Sequence, residues 1–160
     1  METQPVIMVQ IADRAWTQAA LQSACKLALS LQAPIALVQM VPVQHPLFLG
    51  NQLGYLAVAP EDLRLLNDLE VAFANMGIES SLHLFQYVTL TGGIADAADL
   101  VAASIVFATL PLSLIPWWRS LQLEVMRWRL AQRGRWLISE PARGLATAPV
   151  ALVQLHAQPV

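Results

Sequence analysis

The chain has 160 residues, of which 56% are hydrophobic and 12% charged, with a formal net charge of -2. That length suits one domain over residues 1–160, able to bury roughly two-thirds of its unfolded surface, and the near-neutral charge excludes a global attraction to nucleic acid or anionic lipid. Charge at about half the usual ~25% share leaves little repulsion between copies, and thirteen glutamines solvate the surface without adding any, so self-association is expected.

A single cysteine, Cys25, excludes an internal disulfide. The start Met1-Glu2-Thr3-Gln4-Pro5 lacks the basic flank and apolar run of a signal peptide, so the expected location is the cytoplasm.

Pro5 to Ile11 (PVIMVQI) is short, β-branched and apolar, and reads as a buried strand leading into a helix that Asp13 caps. Trp16, Ala20, Ala24, Leu27, Ala28 and Leu31 then form one face of an amphipathic helix, opposite Gln18, Gln22, Lys26 and Ser30. Pro34 to Val41 (PIALVQMV) is a second apolar strand, and strand, helix and strand in this order imply a right-handed parallel crossover.

The stretch from Pro42 to Ala59 reads as a long apolar loop of the kind that covers something or moves. Pro60, Glu61 and Asp62 open a second helix, with proline in the first turn and acids at the positive end of the dipole. Leu66, Leu69, Phe73 and Met76 line its buried side, Arg64 and Asp68 are spaced to pair outside, and Gly77 closes it. Ser80 to Val88 predicts a third strand, Gly92-Gly93 a structural turn into a short helix, and Ser104 to Thr109 a fourth strand.

Leu100 to Trp118 runs nineteen residues without a charge, as a membrane span does. Pro111 and Pro116 fall inside it, and a central parallel strand is equally apolar, so the expectation is a buried strand plus a loop and no membrane span. Helix is expected beyond Pro116 to Arg133. Trp136 to Ser139 fits either a helix extension or a short strand, and Ala148 to Leu155 (APVALVQL) reads as the last strand.

The segment from Pro116 to Arg143 holds six of the eight arginines and four of the five tryptophans. Trp117, Trp118, Leu121, Val125 and Trp128 share one helical face, which suits a core helix first, a protein-partner interface second and a membrane-surface helix third.

Elsewhere the chemistry is sparse. Cys25 sits between core positions with no acid–base partner, and His45, His83 and His156 are scattered singly, so no metal site can be drawn. Asp96 and Asp99 read as a solvated helix face, and no nucleophile, paired carboxylates or triad marks an enzyme.

PVIMVQI running into ADRAWTQAALQSACKLALSLQAPIALVQMVPV, with the late AASIVFAT and APVALVQL, resembles the universal stress protein family over nearly the whole chain. The resemblance implies a doubly wound, mostly parallel five-stranded sheet with helices on both faces, and a homodimer formed through the last strand. It also implies a nucleotide site in those members that bind ATP. Their aspartate after the first strand falls at Ala12, with Asp13 one residue late, and the adenine-side position falls at Met40. The glycine-rich phosphate loop is missing. No glycine lies between Gly93 and Gly134, and Ala108 and Pro111 stand where the loop would be.

The expected function is therefore a non-catalytic, dimeric regulatory or interaction module without a cofactor and without ATP, not an enzyme. The alternative is a sensor of a nucleotide or another small molecule. Its ligand would bind at the carboxyl ends of the strands beneath the long loop, bordered by Asp13, Met40 and Thr109.

Overall fold

The computed structural model describes residues 4–43, 45–50 and 60–140. The strands are β1 (Val6–Ile11), β2 (Ile35–Pro42), β3 (Ser80–Tyr87), β4 (Ala103–Phe107) and β5 (Trp136–Ile138). The helices are α1 (Arg14–Leu31), α2 (Pro60–Asn75), α3 (Leu90–Leu100) and α4 (Pro116–Gln132), with a 3-10 turn at Pro46–Phe48.

All strand pairs are parallel and the order is β3-β2-β1-β4-β5. The chain winds outward from β1 through β2 to β3, then crosses back over the sheet to β4 on the other side of β1. This reversal puts a topological switch point between β1 and β4. The expected doubly wound α/β fold with helices on both faces is what is observed.

Alternation along the central strands divides the core in two. Ile7, Val9, Ile35, Leu37 and Phe107 face α1 and α2, joined by Ala24, Leu69 and Phe73. Met8, Val38, Met40, Val106 and Ala108 face α3 and α4, joined by Ile94, Ala98, Met126 and Leu130. A fully buried residue such as Phe73 or Ile94 contributes about 1.5–3 kcal/mol by leaving water.

Asp13 caps α1 as expected, its Oδ1 accepting the Trp16 N–H at 3.0 Å. The buried face of α1 is rotated from the expected one. Thr17, Leu21 and Cys25 are inside with Ala20, Ala24 and Ala28, while Leu31 is exposed. Leu66, Leu69 and Phe73 of α2 are buried and Met76 packs at the core margin, but Arg64 and Asp68 form no ion pair. An exposed pair of this kind stabilises a helix by only ~0.3–0.5 kcal/mol, too little to hold two long side chains in place.

Gly92 and Gly93 lie inside the first turn of α3, not in a turn before it. Gly93 is needed for close packing: a Cβ there would collide with Tyr87 Cβ and stand 3.0 Å from Met40 Cε. The charge-free stretch 100–118 breaks into the end of α3, strand β4, a loop and the start of α4. Among the described residues no helix is long and apolar enough to cross a membrane.

The ambiguity over Trp136 to Ser139 resolves as a strand. β5 pairs with β4 in the register Ile105↔Trp136 to Phe107↔Ile138 and supplies the fifth strand. The expected last strand, Ala148 to Leu155, lies outside the described residues, as do residues 51–59 of the expected long loop.

Candidate functional site at the switch point

In an open parallel sheet a ligand is expected where strand order reverses, outside the carboxyl ends of the strands. Here those ends belong to β1 and β4, flanked by β2. Asp13 follows β1 and is exposed, Met40 lies near the end of β2 and is 7% exposed, and Thr109 follows β4, also 7% exposed.

Each of the three has an internal task. Asp13 is committed to the α1 cap. Met40 packs into the α3/α4 core beside Gly93. Thr109 is held from two sides. Its N–H donates to Gln10 Oε1 at 2.8 Å, and Arg119 reaches back from the first turn of α4 to donate through Nη2 to Thr109 Oγ1 at 3.3 Å.

Several groups of the surrounding backbone are occupied as well. Arg119 Nε donates to the Leu110 carbonyl at 3.1 Å, and the Ala108 N–H donates to the Ile138 carbonyl at 3.2 Å. The Ala12 N–H donates to Thr17 Oγ1 at 2.9 Å, and Trp16 Nε1 donates to the Ser139 carbonyl at 2.9 Å, tying α1 to the end of β5. Pro111, next along the chain, has no N–H to offer. Among the described residues no buried side-chain nitrogen or oxygen lacks a partner.

Two open grooves among the described residues reach the carboxyl ends of the flanking strands β5 and β3. One of about 450 Å³ runs between α4 and β5 past Leu123, Arg127, Leu137 and Ser139. Another of about 470 Å³ lies along β3 to its carboxyl end and the start of α3, past Leu49, Gly50, Leu84, Tyr87, Thr89 and Gly93. Asp13, Met40 and Thr109 line neither.

Gln10 and Arg119 join the three expected residues at this site. The signal for Gln10 was a single polar residue inside PVIMVQI, 4% exposed in the structure, because a buried amide demands a partner. Nothing in the spacing of Arg119 distinguished it from its neighbours.

Burial pushes the Cys25 thiol up from 9.0 to about 12, so it is neutral near pH 7. Among the described residues no three His, Cys, Asp or Glu side chains converge as a metal site would need.

A protein from the universal stress protein family of Burkholderia pseudomallei superposes with a TM-score of 0.62 at 19% identity, covering 89% of this chain and 99% of that one. The fold is that of the universal stress proteins. A universal stress protein from Archaeoglobus fulgidus gives 0.55 at 17% identity, covering 84% of this chain and 91% of that one. A universal stress protein in complex with cAMP gives 0.54 at 12% identity over 84% and 94% of the two chains. No protein-family model and no curated protein matches the chain.

The arginine and tryptophan segment also takes shape at this end of the molecule. Met126 and Leu130 are the buried residues of α4, whereas Trp117, Trp118, Leu121, Val125 and Trp128 are exposed, so the core-helix reading of that stripe is overturned. The sheet already receives the opposite side of the helix, and one helix cannot bury both sides against it. Asp99 is likewise not simply solvated. It pairs with Arg133 and Arg135, and Asp96 lies 3.8 Å from Arg133.

Proposed function

We propose that the protein is a non-catalytic, dimeric regulatory or interaction module of the universal-stress type, working in the cytoplasm without ATP or another cofactor. One observation carries this reading: Gln10 Oε1 accepts the Thr109 N–H. A phosphate cradle after β4 would need that donor free and aimed outward, with further N–H groups beside it. The amide is instead satisfied from below, the next carbonyl is held by Arg119, and Pro111 adds no donor.

Calorimetry with Mg-ATP tests the reading. The expected result is no saturable heat at millimolar nucleotide, and a micromolar dissociation constant contradicts it.

A second reading, a sensor of a nucleotide or another small anion, draws on Arg119. Its guanidinium stands half-buried at the mouth of the switch point, within the positive first turn of α4, and a protein of this fold holds cAMP. Against it, Arg119 is already committed to Leu110 and Thr109. Saturable heat with cAMP but not with ATP would select this second reading.

A further inference from the structure

Among the described residues, the outer face of α4 is an apolar surface that the fold leaves unused. On a helix of 3.6 residues per turn, Trp117, Trp118, Leu121, Val125 and Trp128 fall within an arc of about 100°, opposite the buried Met126 and Leu130. All five are between 39% and 64% exposed. Three tryptophans of up to about 250 Å² each, exposed to this degree, present on the order of 400 Å² of apolar surface, the size at which a patch signals an interface. Leu112, Leu114 and Ile115 of the preceding loop are exposed as well.

Two observations choose the occupant. A helix lying on anionic lipid needs free basic residues around its apolar face, and most of those near α4 are spent. Arg119 binds Leu110 and Thr109, Arg127 pairs with Glu124, and Arg133 and Arg135 share Asp99. Arg129 is the arginine of α4 without an ion pair or hydrogen bond among the described residues.

The second observation is the spacing. Trp118, Leu121, Val125 and Trp128 recur at intervals of three, four and three residues, the seam of a two-helix contact, and they run large, medium, medium, large. That pattern reads the same from either end. An identical helix laid against it in the opposite direction therefore matches it layer by layer, as a two-fold axis requires.

We infer that α4 is a self-association face on which two copies pack antiparallel, Trp118 of each against Trp128 of the other and Leu121 against Val125. This rests on the dimeric reading above and goes beyond it by assigning the contact.

The test is sedimentation of the full chain, wild type beside Leu121→Glu and Val125→Lys, with circular dichroism confirming each fold. The wild type is expected to be a dimer. Each single variant should weaken it by roughly tenfold or more, since an unpaired charge then faces an apolar side chain. An equimolar mixture of the two variants should recover dimer, because the new carboxylate of one chain meets the new ammonium of the other. As a second measurement, a Leu121→Cys, Val125→Cys double variant should form a covalent dimer on mild oxidation, with Cys25 buried and inert.

A wild-type dimer that both single variants leave intact, or a double-cysteine variant that stays unlinked, overturns the α4 contact and leaves the dimeric reading standing. A monomeric wild type overturns both. So does a monomer whose tryptophan emission shifts to the blue only on phosphatidylserine vesicles, which would assign the face to a membrane.

Discussion

The switch point and the outer face of α4 are joined by Arg119, yet they are finished in opposite ways. At the switch point, polar groups that a ligand would use are paired within the chain: the N–H groups of Thr109 and Ala12 and the carbonyls of Leu110 and Ser139. On α4, apolar groups that a core would use are left in water. A crevice satisfied from inside gains rigidity and loses binding capacity, because an incoming ligand must replace hydrogen bonds instead of supplying missing ones. An unsatisfied apolar face is the reverse, since any partner that covers it gains free energy. In this molecule the polar groups at the switch point are paired and the apolar outer face of α4 is not.

The largest effect that sharpens this contrast is on stability. Phe107→Ala, at a β4 position 1% exposed, should cost about 3–5 kcal/mol in chemical denaturation. Trp128→Ala, removing a larger ring that is 60% exposed, should change stability by less than ~0.5 kcal/mol when both proteins are diluted until monomeric. Equal costs would mean that the α4 stripe is core after all.

Next in size is Gln10→Met, which keeps the shape but strands the Thr109 N–H, and should cost about 1–3 kcal/mol. A neutral result would show that this N–H finds another partner and that the switch point is not held shut by Gln10. Gly93→Ala should cost about 1–3 kcal/mol by forcing α3 away from Tyr87, which a denaturation midpoint reads directly.

The smallest effect near neutral pH is that of Cys25. Its raised pKa means that the folded state keeps the thiol proton between pH 9.0 and about 12, where the unfolded chain has lost it. This contribution to stability is therefore intact below pH 9 and declines as pH rises through that window. A thiol reagent at pH 8 should label Cys25 only at the rate of unfolding. Rapid labelling of the native protein would show that the α1 core is open.

The fold was legible because its signals were local and redundant. PVIMVQI, PIALVQMV and ASIVF are apolar strands bounded by helix starts, and Asp13 and Pro60 mark where helices begin. β5 was harder, because three residues carry no period; pairing with β4, a contact remote in sequence, makes it a strand.

The site was legible only as a location. Sequence placed Asp13, Met40 and Thr109 at the carboxyl ends of the strands, and missing glycines argued against phosphate binding. The closure itself depends on Gln10 meeting Thr109 across ninety-nine positions, a distance that no spacing argument spans. The α4 stripe was misjudged for a related reason. Its periodicity fits a buried face, but whether the sheet receives that face or the one carrying Met126 and Leu130 is decided by the crossover, not by the helix.

The central claim is that this chain pairs with its own kind and leaves the switch point to itself. Native mass spectrometry of the wild-type protein, purified without added nucleotide, reads both halves at once. The account predicts the mass of two chains and nothing more. A single chain carrying a nucleotide would contradict it.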